Sequence, residues 1–147
     1  MTSTRERALT ALLSCLETLR RHGVTVERGV DVPTEVPPGG LVVLRDGDPG
    51  EPEVELSPLR HYYRHDAAVE VIVQRAPGTA RAAALDDVLV LLGDALGTAR
   101  PGRLGGAVDE LSWGAPSTED ERIEGAPAIR GATVPVVLAY TTTNPLK

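Results

Sequence analysis

The chain has 147 residues, a formal net charge of −6 and 41% hydrophobic residues, values typical of a single globular domain spanning 1–147. An acidic chain with no cluster of Lys and Arg and only four aromatic residues is a poor match for nucleic-acid binding. No apolar run approaches the roughly 20 residues that cross a bilayer, so no membrane partner is expected. Cys15 is the only cysteine, which excludes an intrachain disulfide.

The first predicted element is an amphipathic helix that begins after Ser3 and ends at Gly23. Ser3 and Glu6 have the spacing of a capping box, in which each side chain accepts a hydrogen bond from the other residue's backbone N–H. Gly23 follows a basic last turn and predicts a left-handed stop. Cys15 lies beside the apolar face, where a small core thiol is expected rather than a reactive one. Five leucines recur at helical spacing: Leu9, Leu12, Leu13, Leu16 and Leu19.

Three short strands are predicted next, over Val24–Gly29, Leu41–Asp46 and Glu53–Leu56. The residues of Asp46–Glu53 are typical of a turn, which predicts that the second and third strands pair as a hairpin. A long strand follows from about Arg60 to Gln74. One parity of this strand is apolar enough to face the core, namely His61, Tyr63, His65, Ala67, Val69, Val71 and Val73.

A second helix is predicted from Gly78 and Thr79 to Gly97, and two more strands over Val108–Trp113 and Thr133–Thr143. The polar segment 115–131 between those strands is expected to be a long loop. The strands cluster instead of alternating with helices. The pattern therefore predicts an α+β fold, with two helices packed on one face of a mainly antiparallel sheet.

The sequence offers no pattern for a metal or for catalysis. His61 and His65 are four residues apart on a strand, or about 13 Å, which is too far for one zinc ion. The acidic turn at Asp46, Asp48 and Glu51 fails the EF-hand pattern, because Gly50 and Ser57 stand where oxygen ligands are needed. No nucleophile elbow, Cys/His signature or phosphate-binding loop is present. We therefore expect no catalytic residues, no metal site and no cofactor.

A binding or assembly role remains. The exposed parity of the long strand mixes both charges with a tyrosine, a composition that suits contact with another protein. A plain solvated sheet face is the alternative. The candidate protein–protein contacts come from this strip and from the acidic turn: Asp46, Asp48, Glu51, Glu53, Arg60, Tyr62, Arg64, Asp66 and Glu70.

Three segments carry a resemblance to a known family. They are GLVVLRDGDPGEPEVELSPLRHYYRHDAAVEVIVQ (40–74), LGGAVDELSWGAPS (104–117) and ATVPVVLAYTTTNPL (132–146). In these segments and in element order, the chain resembles the tail terminators of long-tailed phages and gene transfer agents, a family similar to the minor tail protein U of phage lambda. The resemblance covers about Leu9 to Pro145.

The resemblance implies an α+β subunit of a homohexameric ring, made in the bacterial cytoplasm and located at the head–tail junction of a phage-like particle. Such a ring ends polymerisation of the tail tube and joins the tail to the neck, so its partners are itself, the tail tube protein and a head-completion or neck protein. Six copies of −6 give −36, which would let DNA pass through the ring without specific binding. The alternatives are another head–tail connector of the same particle, or a small transferase-like enzyme.

Overall fold

Two long helices pack on one face of a seven-stranded sheet in the computed structural model, which describes residues 1–31, 36–74, 79–121 and 129–147. The helices are α1 (Thr4–Glu17), extended by a 3₁₀ turn over Thr18–His22, α2 (Thr79–Ala99) and a four-residue helical turn, α3 (Arg103–Gly106). The strands are β1 (Thr25–Arg28), β2 (Leu41–Asp48), β3 (Glu53–Leu56), β4 (Leu59–Gln74), β5 (Glu110–Trp113), β6 (Ser117–Glu121) and β7 (Ile129–Thr142). The predicted α+β class is confirmed.

The ends of the helices follow the sequence signals in part. Ser3 Oγ accepts a hydrogen bond from the backbone N–H of Glu6, as the capping box predicts. The second bond of the capping box, from the backbone N–H of Ser3 to the Glu6 carboxylate, is not formed. The carboxylate accepts hydrogen bonds from Arg28 instead. Gly23 ends the 3₁₀ turn in the left-handed conformation. The predicted end of α2 at Gly97 is wrong: the buried Leu96 keeps the last turn packed, and an interior glycine costs only about 1 kcal/mol.

β4 and β7 form the centre of the sheet, whose strand order is β1-β2-β4-β7-β5. All pairs are antiparallel except β1 with β2. β4 is long enough to pair with two strands along one edge, β2 at its C-terminal half and β3 at its first four residues. The predicted β2–β3 hairpin is therefore wrong. β3 instead turns at Ser57–Pro58 and pairs with β4.

The two faces of the sheet differ as the parity of β4 predicts. One face carries Val69 and Val71 of β4 beside Val134 and Val136 of β7, and it forms the core with α1 and α2. The opposite face carries Ala68 and Pro135, and no helix among the described residues covers it. Part of this face is nevertheless buried, because Val30 and Val36, which lie between β1 and β2, pack there with Leu41, Val43, Ile72 and Ile129. We call this second face the open face.

The polar segment between β5 and β7 is less irregular than expected. Ser117–Glu121 is strand β6, and β7 begins at Ile129, so the two pair where a loop was predicted. The edge strand β6 needs only backbone hydrogen bonds to β7, and its polar side chains gave no alternating signal. The part of the predicted loop at 122–128 lies outside the described residues.

A bulge in β2 fixes how β4 meets its neighbour. The register shifts between Arg45 and Asp48, and Gly47 there has a φ of +66°. A Cβ at Gly47 would lie 1.8 Å from the carbonyl oxygen of Asp66, so only glycine fits. The bulge also turns the carbonyl of Asp46 toward the buried ring of His65, which donates a hydrogen bond to it.

Candidate functional site

The open face carries much of the chain's negative charge. Among the strand residues with described side chains, eight carboxylates and three guanidinium groups belong to the open face. Their net charge is −5. Between them, Ala68, Val137 and Ala139 are only half-buried and Pro135 is exposed. The carboxylates are Glu27, Asp48, Glu53, Glu55, Asp66, Glu70, Glu110 and Glu119, and the guanidinium groups are Arg45, Arg60 and Arg64.

The predicted contact strip of β4 lies on this face. Arg60, Tyr62, Arg64 and Asp66 are all exposed, as their parity predicts. Glu70 differs, because it is half-buried and forms an ion pair with Arg45 on the neighbouring strand at 3.2 Å. The structure therefore brings the first four residues together as a free surface and holds the fifth within the sheet.

Two of the three carboxylates at the tip of the predicted acidic turn, those of Asp46 and Asp48, form hydrogen bonds within the fold. Arg28 contacts the carboxylate of Asp46 at 2.8 Å and that of Glu6 at 2.7 Å, and these bonds hold the pKa of both carboxyl groups below their usual values. Asp48 accepts a hydrogen bond from the backbone N–H of Gly50 at 2.8 Å and so closes the turn. Glu51 is also exposed.

A hairpin leaves the body of the molecule beyond this turn. We call it the arm: β3, the Ser57–Pro58 turn and the first four residues of β4, or residues 53–62. Val54 and Leu56 have the parity of the core face, yet the exposed fractions of their side chains are 52% and 78%, and Leu59 is also exposed. Among the described residues no helix packs against β3, so apolar side chains with the parity of the core are exposed to solvent.

The other side of the arm is polar and continues the open face. Tyr62 donates a hydrogen bond from its hydroxyl to the carboxylate of Glu55 at 2.7 Å, and Glu53 and Arg60 lie beside them on the same parity. The arm therefore presents an apolar side and a charged side. Alternation along β3 predicted these two sides, but it did not predict that both would be exposed.

The two histidines of the long strand are four residues apart on one face of β4, a separation of about 13 Å. His65 is 1% exposed, and its Nδ1 lies 3.0 Å from the hydroxyl of Tyr140. Since Nε2 donates to the Asp46 carbonyl, Nδ1 accepts from that hydroxyl. Burial raises the pKa of Tyr140 to about 12. Within the described ranges no group of three or more His, Cys, Asp or Glu side chains could hold a metal ion.

Cys15 behaves as a structural thiol. It is half-buried between α1 and α2, and its Sγ lies 3.4 Å from the carbonyl oxygen of Ala95. Burial raises the pKa of the Cys15 thiol, which disfavours the nucleophilic thiolate.

A groove at the far edge of the sheet was not predicted. We call it the lateral groove: a space of about 150 Å³ between α2 and the end of β5. Its lining is apolar and includes Leu89, Gly93, Trp113 and Pro116. The guanidinium carbon of Arg100 lies 4.7 Å from the centre of the Trp113 ring, so a cation stands at the rim of the groove.

No known family model matches the chain, and no curated protein matches it. Among the described residues, no helix is both long enough and apolar enough to span a membrane.

Proposed function

We propose that this protein is a structural ring subunit of the tail-terminator type, which ends a phage-like tail tube and joins the tail to the head or neck. It acts by assembly, through its surfaces, without a cofactor or catalytic residues. The observation that carries the proposal is the combination of a net-acidic sheet face that no described helix covers with an arm whose apolar side chains are exposed to solvent. The sequence resemblance to the tail-terminator family supports the same role.

In the proposed ring, the open face lines the central channel. A surface with eight carboxylates and three guanidinium groups repels the phosphates of DNA, because phosphate binding requires a local excess of positive charge. The ion pair between Arg45 and Glu70 leaves the remaining carboxylates in excess. DNA would then pass without being retained.

The two lateral edges of the sheet would form the contacts between subunits. β2 and β3 lie at one edge of β4, whereas β5 and β6 lie at the far edge of β7. A contact that joins unlike edges repeats from copy to copy, and it closes into a ring when the rotation between copies allows. Helices α1 and α2 then face outward.

The test is a tube-assembly assay with the tail tube protein of the same particle. We expect added protein to shorten the tubes and to form a ring at one end of each tube in negative-stain electron micrographs. A chain that neither caps tubes nor changes their length would contradict the proposal. A ring that binds a neck protein but ignores tubes would support a different connector of the same particle.

A further inference from the structure

We propose that the tip of the arm of one subunit occupies the lateral groove of the next copy, so that Leu56 packs against Trp113 and Pro116 of its neighbour. This inference rests on the proposed ring and names the contact that builds it. The occupant of the groove is thus a second copy of this chain.

The apolar surfaces of the two partners match in kind. Leu56, Val54 and Leu59 form the apolar side of the arm, and no described element covers them. Large aliphatic side chains at a protruding tip are unfavourable in water unless a partner buries them. The lateral groove is lined by leucine, tryptophan and proline side chains, and its lining contains no charged residue.

The charges match as well. From Asp48 to Tyr62 the chain carries four carboxylates and one guanidinium group, a net charge of −3. At the rim of the groove, Arg100 lies over Trp113 and is exposed. The one carboxylate of β5, that of Glu110, lies at the other end of the strand, next to Asp109, which accepts a hydrogen bond from Thr141. An arm that enters the groove therefore brings its carboxylates toward a cation.

The placement of the two features favours a head-to-tail contact over a two-fold one. The arm pairs along the edge of β4 that faces β2, and the groove lies beyond β7 at the opposite edge. The arm of one subunit can therefore enter the groove of one neighbour, while its own groove binds the arm of another. A two-fold contact between arms would instead place the carboxylates of one arm against those of its copy, which is unfavourable.

Cysteine cross-linking tests this contact directly. In a Cys15→Ser background, we expect a mixture of Leu56→Cys and Pro116→Cys chains to form covalent dimers under mild oxidation. A chain that carries both substitutions should form a ladder of cross-linked species that ends at the closed ring. The control pairs Leu56→Cys with Thr10→Cys, an exposed position on α1 outside the groove, and should give no specific product.

The outcomes separate this inference from the function on which it rests. Rings that cap tubes but give no Leu56–Pro116 cross-link would overturn the arm contact alone. Efficient cross-linking of Leu56→Cys chains to one another would also overturn it, in favour of a two-fold contact. Leu56–Pro116 ladders in a protein that never caps tubes would support the arm contact and count against the tail-terminator role.

Discussion

Leu56 and Trp113 lie at opposite lateral edges of one sheet, with β4 and β7 between them. Leu56 pairs with Leu59 at the free end of the arm, and Trp113 pairs with Val136 on the far side of β7. Leu56 is 78% exposed, whereas Trp113 is half-buried and packs against the core. Their separation means that the two side chains cannot meet within one chain, whereas in the proposed ring they meet between neighbouring copies.

The bulge in β2 predicts a difference between two glycines. Gly47 and Gly50 have nearly equal φ angles, +66° and +67°, but a Cβ at Gly50 meets no atom within 4 Å. Gly50→Ala should cost about 1–2 kcal/mol for the left-handed backbone alone. Gly47→Ala should cost roughly 1–3 kcal/mol more, because its Cβ meets the Asp66 carbonyl. Urea unfolding of both variants measures the difference, and equal losses would contradict the bulge geometry.

Arg28 predicts a pH-dependent part of the stability. Arg28→Ala should lower the free energy of unfolding by about 1 kcal/mol at pH 7, since two partly exposed ion pairs are lost. The paired carboxyl groups of Glu6 and Asp46 have lowered pKa values in the folded protein. Their contribution is therefore complete above the unfolded pKa of about 4 and disappears as the pH falls through the folded values.

The measurement for Arg28 is urea unfolding of both proteins at pH 7 and at low pH, with Arg64→Ala as the control. Arg64 is exposed on the open face and forms no ion pair with the described residues. A stability difference for Arg28→Ala that is unchanged at low pH would show that charge pairing does not cause it.

The buried hydrogen bond between Tyr140 and His65 predicts a further stability difference. Tyr140→Phe leaves the Nδ1 of His65 without its donor inside the core, which should cost about 1–2 kcal/mol. Tyr62→Phe removes a hydroxyl bonded to the exposed Glu55 and should change stability by less than about 0.5 kcal/mol. Thermal unfolding of the two variants distinguishes a buried network from a surface bond. A similar effect at both positions would contradict the assignment.

The acidic open face predicts that the ring does not retain DNA. Asp66→Lys, Glu110→Lys and Glu119→Lys together change its net charge from −5 to +1. We expect this triple variant to bind duplex DNA at low salt in fluorescence anisotropy, with affinity that falls as salt rises. The wild-type ring should not bind.

A matched triple variant controls for the change in total charge. Asp86→Lys, Asp87→Lys and Asp94→Lys make the same change on the exposed side of α2. If this control bound DNA as well as the open-face variant, the position of the charge would not matter, and a channel lined by the open face would lose its support.

The sequence predicted the body of the fold better than its edges. Alternation along β4 correctly assigned His65 and Val69 to the core face and Arg64 and Asp66 to the opposite face. The assignment worked because β4 is a central strand and the helices cover one face. Alternation could not show that β3 pairs with β4 instead of β2. The turn-forming residues of Asp46–Glu53 indicate a reversal of the chain without naming the partner strand.

The sequence indicated only part of the surface that we propose as the contact between subunits. The sequence indicated the charged strip. It did not indicate that Val54 and Leu56 are exposed, because alternation along a strand does not show which part of a sheet the helices cover. Asp46 stays a predicted contact residue, because its side chain is 51% exposed although its carboxylate is bonded to Arg28. Trp113 and Arg100 are distant from the arm in sequence, and the cation–π contact between these two side chains is visible only in the structure.

The mass of the assembled protein in solution tests the central claim most directly. Light scattering after size exclusion should give about 93 kDa for the wild type, six times the 15.5 kDa chain. Leu56→Glu should give a folded chain of 15.5 kDa, because that side chain is 78% exposed in the subunit, whereas Val90→Glu should assemble as the wild type does. A wild type that remains at 15.5 kDa even with tube protein, or a Leu56→Glu variant that assembles normally, would contradict a ring built through the arm.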